Sequence, residues 1–131
     1  MRAVKGKELY LTTDDKVGKL QEIASAVKAA GVNIRAISAW GADAKAYFRL
    51  VTSDNIKAKE ALQSQGSIEE KEVVIADMVD EVGQLESMAS GLKEAGINLT
   101  HIYGTTSEPG KSAIIIFASD NNDKALDLLS K

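Results

Sequence analysis

The residues of this chain best suited to chemistry stand at two places, and each place occurs twice. Asp14-Asp15 is followed by Gly18 and later by Asn33, while Asp80-Glu81 is followed by Gly83 and Asn98. Paired carboxylates invite acid–base work, but neighbours in a helix-capping turn point apart and are ordinarily solvated caps. His101, the single histidine, is the residue a Ser-His-Asp arrangement would need. It falls inside an expected strand, at the position of Ala36 in the earlier copy, with no serine motif beside it, so a structural or surface role is expected. Cysteine is absent, which removes thiolate chemistry, and one histidine does not make a conventional zinc site. Each strand-to-helix turn carries one glycine rather than the spaced set of a phosphate loop. No catalytic residue, metal or cofactor is expected.

Binding is the chemistry that remains. A strand-to-helix turn presents backbone N–H groups at the positive end of a helix, and Gly18 or Gly83 lets a ligand or another chain come close. That end suits a small carboxylate. Asn33 and Asn98 both donate and accept hydrogen bonds, as a zwitterionic amino acid requires. The same residues have a plainer reading, with glycines that ease helix–sheet packing and asparagines that satisfy turn backbone. The residues alone leave both readings open.

The elements that position these groups are themselves repeated. Sliding the sequence by 65 positions lays Asp15–Ile37 on Asp80–Ile102 with eleven of twenty-three residues identical, Val17-Gly18-x-Leu20 falling on Val82-Gly83-x-Leu85. Such a period is too long for a solenoid unit and suits a duplicated small α+β module. The chain has 131 residues, 44% apolar and 27% charged, which is the composition of an ordinary globular protein. A module near 65 residues buries only ~60% of its unfolded surface, so two copies are expected to share a sheet or core. The net charge of −3 and isoelectric point near 5.2 argue against a nucleic-acid partner. The first residues lack a signal-peptide core and no stretch approaches a membrane span, so a cytoplasmic protein with no membrane partner is expected.

Taken in order, Leu9 and Leu11 alternate with Tyr10 and Thr12 as in a half-buried strand. Thr13-Asp14-Asp15 is expected to cap a helix whose apolar positions are 17, 20, 23, 24, 27 and 30, stopped by Gly31. A hairpin follows, Val32–Trp40 and Ala44–Thr52, turning at Gly41-Ala42-Asp43, and Ser53-Asp54-Asn55 caps a second helix ending at Gly66. The second copy has a longer hairpin turn, Ser107–Lys111, and Ser119-Asp120-Asn121 is matched to Ser53-Asp54-Asn55 at an offset of 66. Ser67 to Met78 reads as one long strand serving both copies. The expected fold is α+β, a ferredoxin-like βαββαβ unit repeated twice, antiparallel sheets side by side with helices on one face. The expected domains are 1–70 and 71–131, the second without a closing strand of its own, which leaves an edge open.

Asp15-Lys16-Val17-Gly18-Lys19-Leu20 followed by Gly31-Val32-Asn33-Ile34, and Asp80-Glu81-Val82-Gly83-Gln84-Leu85 followed by Gly96-Ile97-Asn98-Leu99, resemble the signature of ACT domains. Val17 and Val82 stand where that signature has proline. The resemblance covers nearly the whole chain, twice, and implies side-by-side ferredoxin-like sheets with amino-acid binding near the seam. It implies ligand contacts from Thr13, Asp15, Gly18 and Asn33 in copy one and from Met78, Asp80, Gly83 and Asn98 in copy two. Lys16, Val17 and Leu20, with Glu81, Val82 and Leu85, complete the two candidate sites. Met78 stands where Thr13 could hydrogen-bond, and the aspartates favour a ligand's ammonium.

The expected function is therefore a regulatory protein that binds a small molecule, an amino acid or related metabolite, without catalysis. A homodimer through the open edge and a separate enzyme are the expected protein partners. The alternative is a ligand-free structural or protein-interaction module on the same fold, suggested by the two valines and by Met78.

Overall fold

Burial alternates residue by residue from Leu9 to Thr13. In the computed structural model, which describes residues 1–106 and 108–130, Leu9, Leu11 and Thr13 are buried while Tyr10 and Thr12 stay half-exposed, as a sheet with one covered face requires. The elements are β1 (Arg2–Asp14), α1 (Lys19–Ala29), β2 (Ile34–Ala42), β3 (Lys45–Thr52), α2 (Asn55–Leu62), β4 (Ser67–Val79), α3 (Gln84–Glu94), β5 (Leu99–Thr106), β6 (Ser112–Ser119) and α4 (Asn122–Leu129). The fold is α+β and ferredoxin-like in each half. Among the described residues no helix is long and apolar enough to cross a membrane.

The chain forms two compact units, Lys7–Lys71 and Met1–Gly6 with Glu72–Lys131. In the first, the strand order is β2-β3-β1-β4, and β3 pairs antiparallel with both β1 and β2. Leu9 lies opposite Leu50 and Leu11 opposite Phe48, and this row meets Ile23 and Val27 of α1 and Ala58 and Leu62 of α2 to form the core. Each fully buried Leu or Ile there contributes about 1.5–3 kcal/mol of burial. The other sheet face carries Tyr10, Trp40 and Tyr47 in a stack, with the Arg49 guanidinium 4.7 Å from the Tyr10 ring centre and bound to the buried Glu8 at 2.8 Å.

The second unit has the order β1-β4-β6-β5, with β6 antiparallel to β4 and β5. Val74, Ala76 and Phe117 pack on Met88 and Leu92 of α3 and on Ala125 and Leu129 of α4. Ala3 belongs to this core, its carbonyl accepts from the Ser130 hydroxyl, and Lys5 pairs with Asp123 at 2.6 Å. The N-terminal residues of β1 thus stand beside β4, in the place of the closing strand that α4 lacks, and the edge expected to be open there is filled. β4 is one continuous strand, as expected.

Four local expectations are corrected. Thr13-Asp14-Asp15 does not cap α1, because β1 continues to Asp14 and the chain makes a further turn. The cap is Gly18 in the left-handed conformation with no side-chain bond, and Asp14 pairs instead with Lys45. Starting the helix at Lys19 rotates its buried face onto Lys19, Ile23 and Val27, so Leu20 and Ala24 face outward and Val17 is fully exposed. The first hairpin turns at Asp43-Ala44, both at positive φ, with Ala42 paired to Lys45. A two-residue loop of that hand matches the strand twist. Finally, the second helices align at an offset of 67. Asn55 accepts from Thr52 as Asn122 does from Ser119, and Asp54 caps α2 as Asn121 caps α4. Two extra residues in the longer hairpin cause the shift; Ser107, part of that turn, lies outside the described residues.

Candidate functional site

The β1–α1 turn is shaped by one glycine. Gly18 has φ +88° with open space where a side chain would begin, so backbone conformation rather than packing demands it. The turn is fixed by Lys19 N–H donating to the Lys16 carbonyl and Glu22 N–H to the Gly18 carbonyl. At the other end, Gly31 N–H donates to Lys28 and Val32 N–H to Val27, a paired closure around a glycine at positive φ. The second unit repeats both devices at Gly83 and Gly96.

Beside the first turn lies a groove of about 600 Å³, lined by Asp15, Lys16, Gly18, Lys19, Leu20, Gln21 and Ala24 and by Ala39, Trp40, Gly41, Ala46 and Phe48. The tip of the β2–β3 hairpin forms its second wall. Gly41 makes room there, since a side-chain carbon on it would come 2.9 Å from Asp15 Oδ2. The Asp15 backbone N–H donates to Ala44, while its carboxylate has no hydrogen bond or ion pair among the described residues. Lys19 is buried and held by Glu22 at 3.0 Å and Gln65 at 3.2 Å; Lys16 reaches the same glutamate at 3.2 Å. Hydrogen bonds from Lys19, then Lys16, hold the Glu22 carboxyl below its ordinary value. The first turn of α1 has no side-chain cap, which leaves a positive helix end facing outward.

Asp15, Lys16, Gly18 and Leu20 are thus brought together. Thr13 is buried and does not line the groove, and neither does Val17. Asn33 lines a separate cavity of about 320 Å³ that shares Ala24, and its backbone N–H donates to the Ser53 hydroxyl while its carbonyl accepts from Ser53. Asn98 makes the same pair with Asp120. In the second unit Met78, Asp80, Glu81 and Leu85, with Gln84, Thr105, Thr106, Ala113 and Ile115, line a groove of about 250 Å³; Val82, Gly83 and Asn98 do not line it. His101 lies in β5 opposite Ala118, its ring 5.5 Å from Tyr103. Sequence reasoning missed the hairpin wall, Ala39, Trp40, Gly41, Ala46 and Phe48. The small residues at 39, 41 and 46 were its only local signal.

The sequence matches the family model for an ACT domain pair over residues 4–131. No curated protein matches it. Among solved structures, protein BT0572 from Bacteroides thetaiotaomicron superposes with a TM-score of 0.88 at 22% identity, covering 97% of this chain and 88% of that one. The ligand-free regulatory subunit of aspartate kinase from Thermus thermophilus superposes with a TM-score of 0.71 at 15% identity, covering 98% and 95%. At these identities the likeness is one of fold. With the family model spanning both repeats, the chain belongs to the ACT domain pair family.

Proposed function

We propose that this chain is a regulatory module that takes a free amino acid, or a metabolite carrying the same ammonium and carboxylate, in the groove beside the β1–α1 turn of Lys7–Lys71, and that it has no catalytic activity of its own. The observation that carries this reading is the groove's chemistry: a carboxylate, Asp15, with no side-chain partner among the described residues, beside an uncapped helix start and an apolar lining. A ligand ammonium would meet Asp15 and a ligand carboxylate the first-turn N–H groups of α1. Likeness of fold to an aspartate kinase regulatory subunit supports a regulatory rather than catalytic role, with a second copy of the chain or a separate enzyme receiving the signal. A thermal-shift screen of the twenty amino acids tests the reading. A true ligand at 100 times its dissociation constant adds ~2.7 kcal/mol; no stabilisation by any of them at millimolar concentration would refute it.

A further inference from the structure

We propose that the two equivalent grooves are unequal, so that each chain takes one amino acid, in the first groove, and that this amino acid has an apolar side chain. The inference rests on the amino-acid reading above and adds its stoichiometry and its class of ligand.

Two differences close the second groove, and both act on the aspartate. Position 41 of the first copy is glycine, and 65 residues on stands Thr106. Where Gly41 clears space for the Asp15 carboxylate, the Thr106 hydroxyl donates to Asp80 Oδ2 at 3.1 Å. Gly110 and Lys111 of the longer hairpin then bond to the same residue. Asp80 N–H donates to the Lys111 carbonyl at 2.7 Å, and Gly110 N–H donates to the Asp80 carbonyl at 3.0 Å. In the first copy only one such bond is made, from Asp15 N–H to Ala44 at 3.2 Å. The groove that results is about 250 Å³ against about 600 Å³, and only the larger lies within the ~300–1,000 Å³ usual for small-ligand sites. A carboxylate already satisfied by a neighbouring hydroxyl is also a poorer partner for an incoming ammonium.

The ligand class follows from the lining. Away from the turn the first groove is walled by Leu20, Ala24, Ala39, Ala46 and Phe48, the Trp40 ring lying in the stack on the other sheet face, and this wall offers no side-chain charge to a charged ligand side chain. Desolvating such a charge against that wall costs more than the wall returns.

Titration calorimetry on the full chain tests this, with L-valine, L-leucine, L-isoleucine, L-methionine and L-phenylalanine set against L-aspartate and L-lysine. One site per chain is expected, with the best apolar amino acid at least about tenfold tighter than either charged one. Gly41→Thr installs the second copy's clamp on Asp15 and should weaken binding at least about tenfold without lowering the melting temperature, because threonine suits a strand better than glycine. Should that variant fail to fold, Ala24→Trp, on the exposed face of α1, blocks the same groove. Gln84→Trp fills the second groove and should leave affinity within about twofold, well under the tenfold that 1.4 kcal/mol represents. Two sites per chain, a charged amino acid binding tightest, or binding lost on Gln84→Trp and kept on Gly41→Thr would overturn the inference while leaving the regulatory reading intact. No binding of any of the seven would overturn the inference, and no stabilisation by any of the twenty in the thermal-shift screen would overturn the regulatory reading with it.

Discussion

Replacing Gly18 with alanine should destabilise the protein by about 1 kcal/mol, and replacing Gly83 should cost the same. Both residues sit at φ +88°, and a side-chain carbon on either would meet nothing within 4 Å. Steric clash and lost packing are therefore both removed from the sum. What remains is the left-handed conformation of an L-residue, about 1–2 kcal/mol, offset by roughly 0.4–1 kcal/mol because alanine also restricts the unfolded chain. With a urea slope of roughly 1–3 kcal/mol/M, each variant should lower the unfolding midpoint by about 0.3–1 M, and the double variant by about twice that. Urea unfolding followed by circular dichroism measures it. A loss above about 3 kcal/mol in either variant, or a loss in one copy only, would mean that the glycine serves packing after all. No loss in either would mean that the turn relaxes.

Other expectations follow from single contacts. Arg49→Ile removes the 2.8 Å ion pair of the buried Glu8 and should cost about 3 kcal/mol, whereas Glu8→Val with Arg49→Ile copies the buried Val73 and Ile116 of the second unit, 65 and 67 residues on, and should be near neutral in denaturant unfolding. Ala44→Gly relieves a residue at φ +64° and should raise stability by about 1 kcal/mol, seen as a higher urea midpoint. Glu22 has its folded pKa lowered by Lys19 and Lys16, so its contribution is full above the ordinary value of 4.5 and is lost as pH falls through the lowered one. The melting temperatures of the wild type and Glu22→Gln should converge as pH falls below about 4.5 and differ above it; a constant difference down to pH ~2 would refute the pairing.

The repeat and the element order were legible because they rest on local pattern. Leu9 and Leu11 alternate in one strand, Gly31 and Gly96 stop helices, and Asp54 caps the helix assigned to it. Where several residues could serve one local role, the pattern misled. Three good capping residues precede α1, yet the strand claimed Thr13 and Asp14 and left the cap to Gly18. That shift turned Leu20 outward, into the groove. Matching Ser53 to Ser119 failed because an identical residue outweighed the hydrogen-bond roles, which put Asp120 where Ser53 stands. The hairpin wall, the separation of Asn33 from the turn and the return of Arg2–Gly6 to the second unit depend on pairing between distant segments, which no local period records.

The most direct measurement is an amide-resolved NMR titration of the full chain with L-leucine and L-phenylalanine up to about 10 mM, a range that reaches dissociation constants near 1 mM. Saturable shifts concentrated at Asp15–Ala24 and Ala39–Gly41, with Asp80–Leu85 unmoved, are the expected result. Saturation at Asp80–Leu85 with the first groove silent, or no saturable shift from either amino acid, would contradict it.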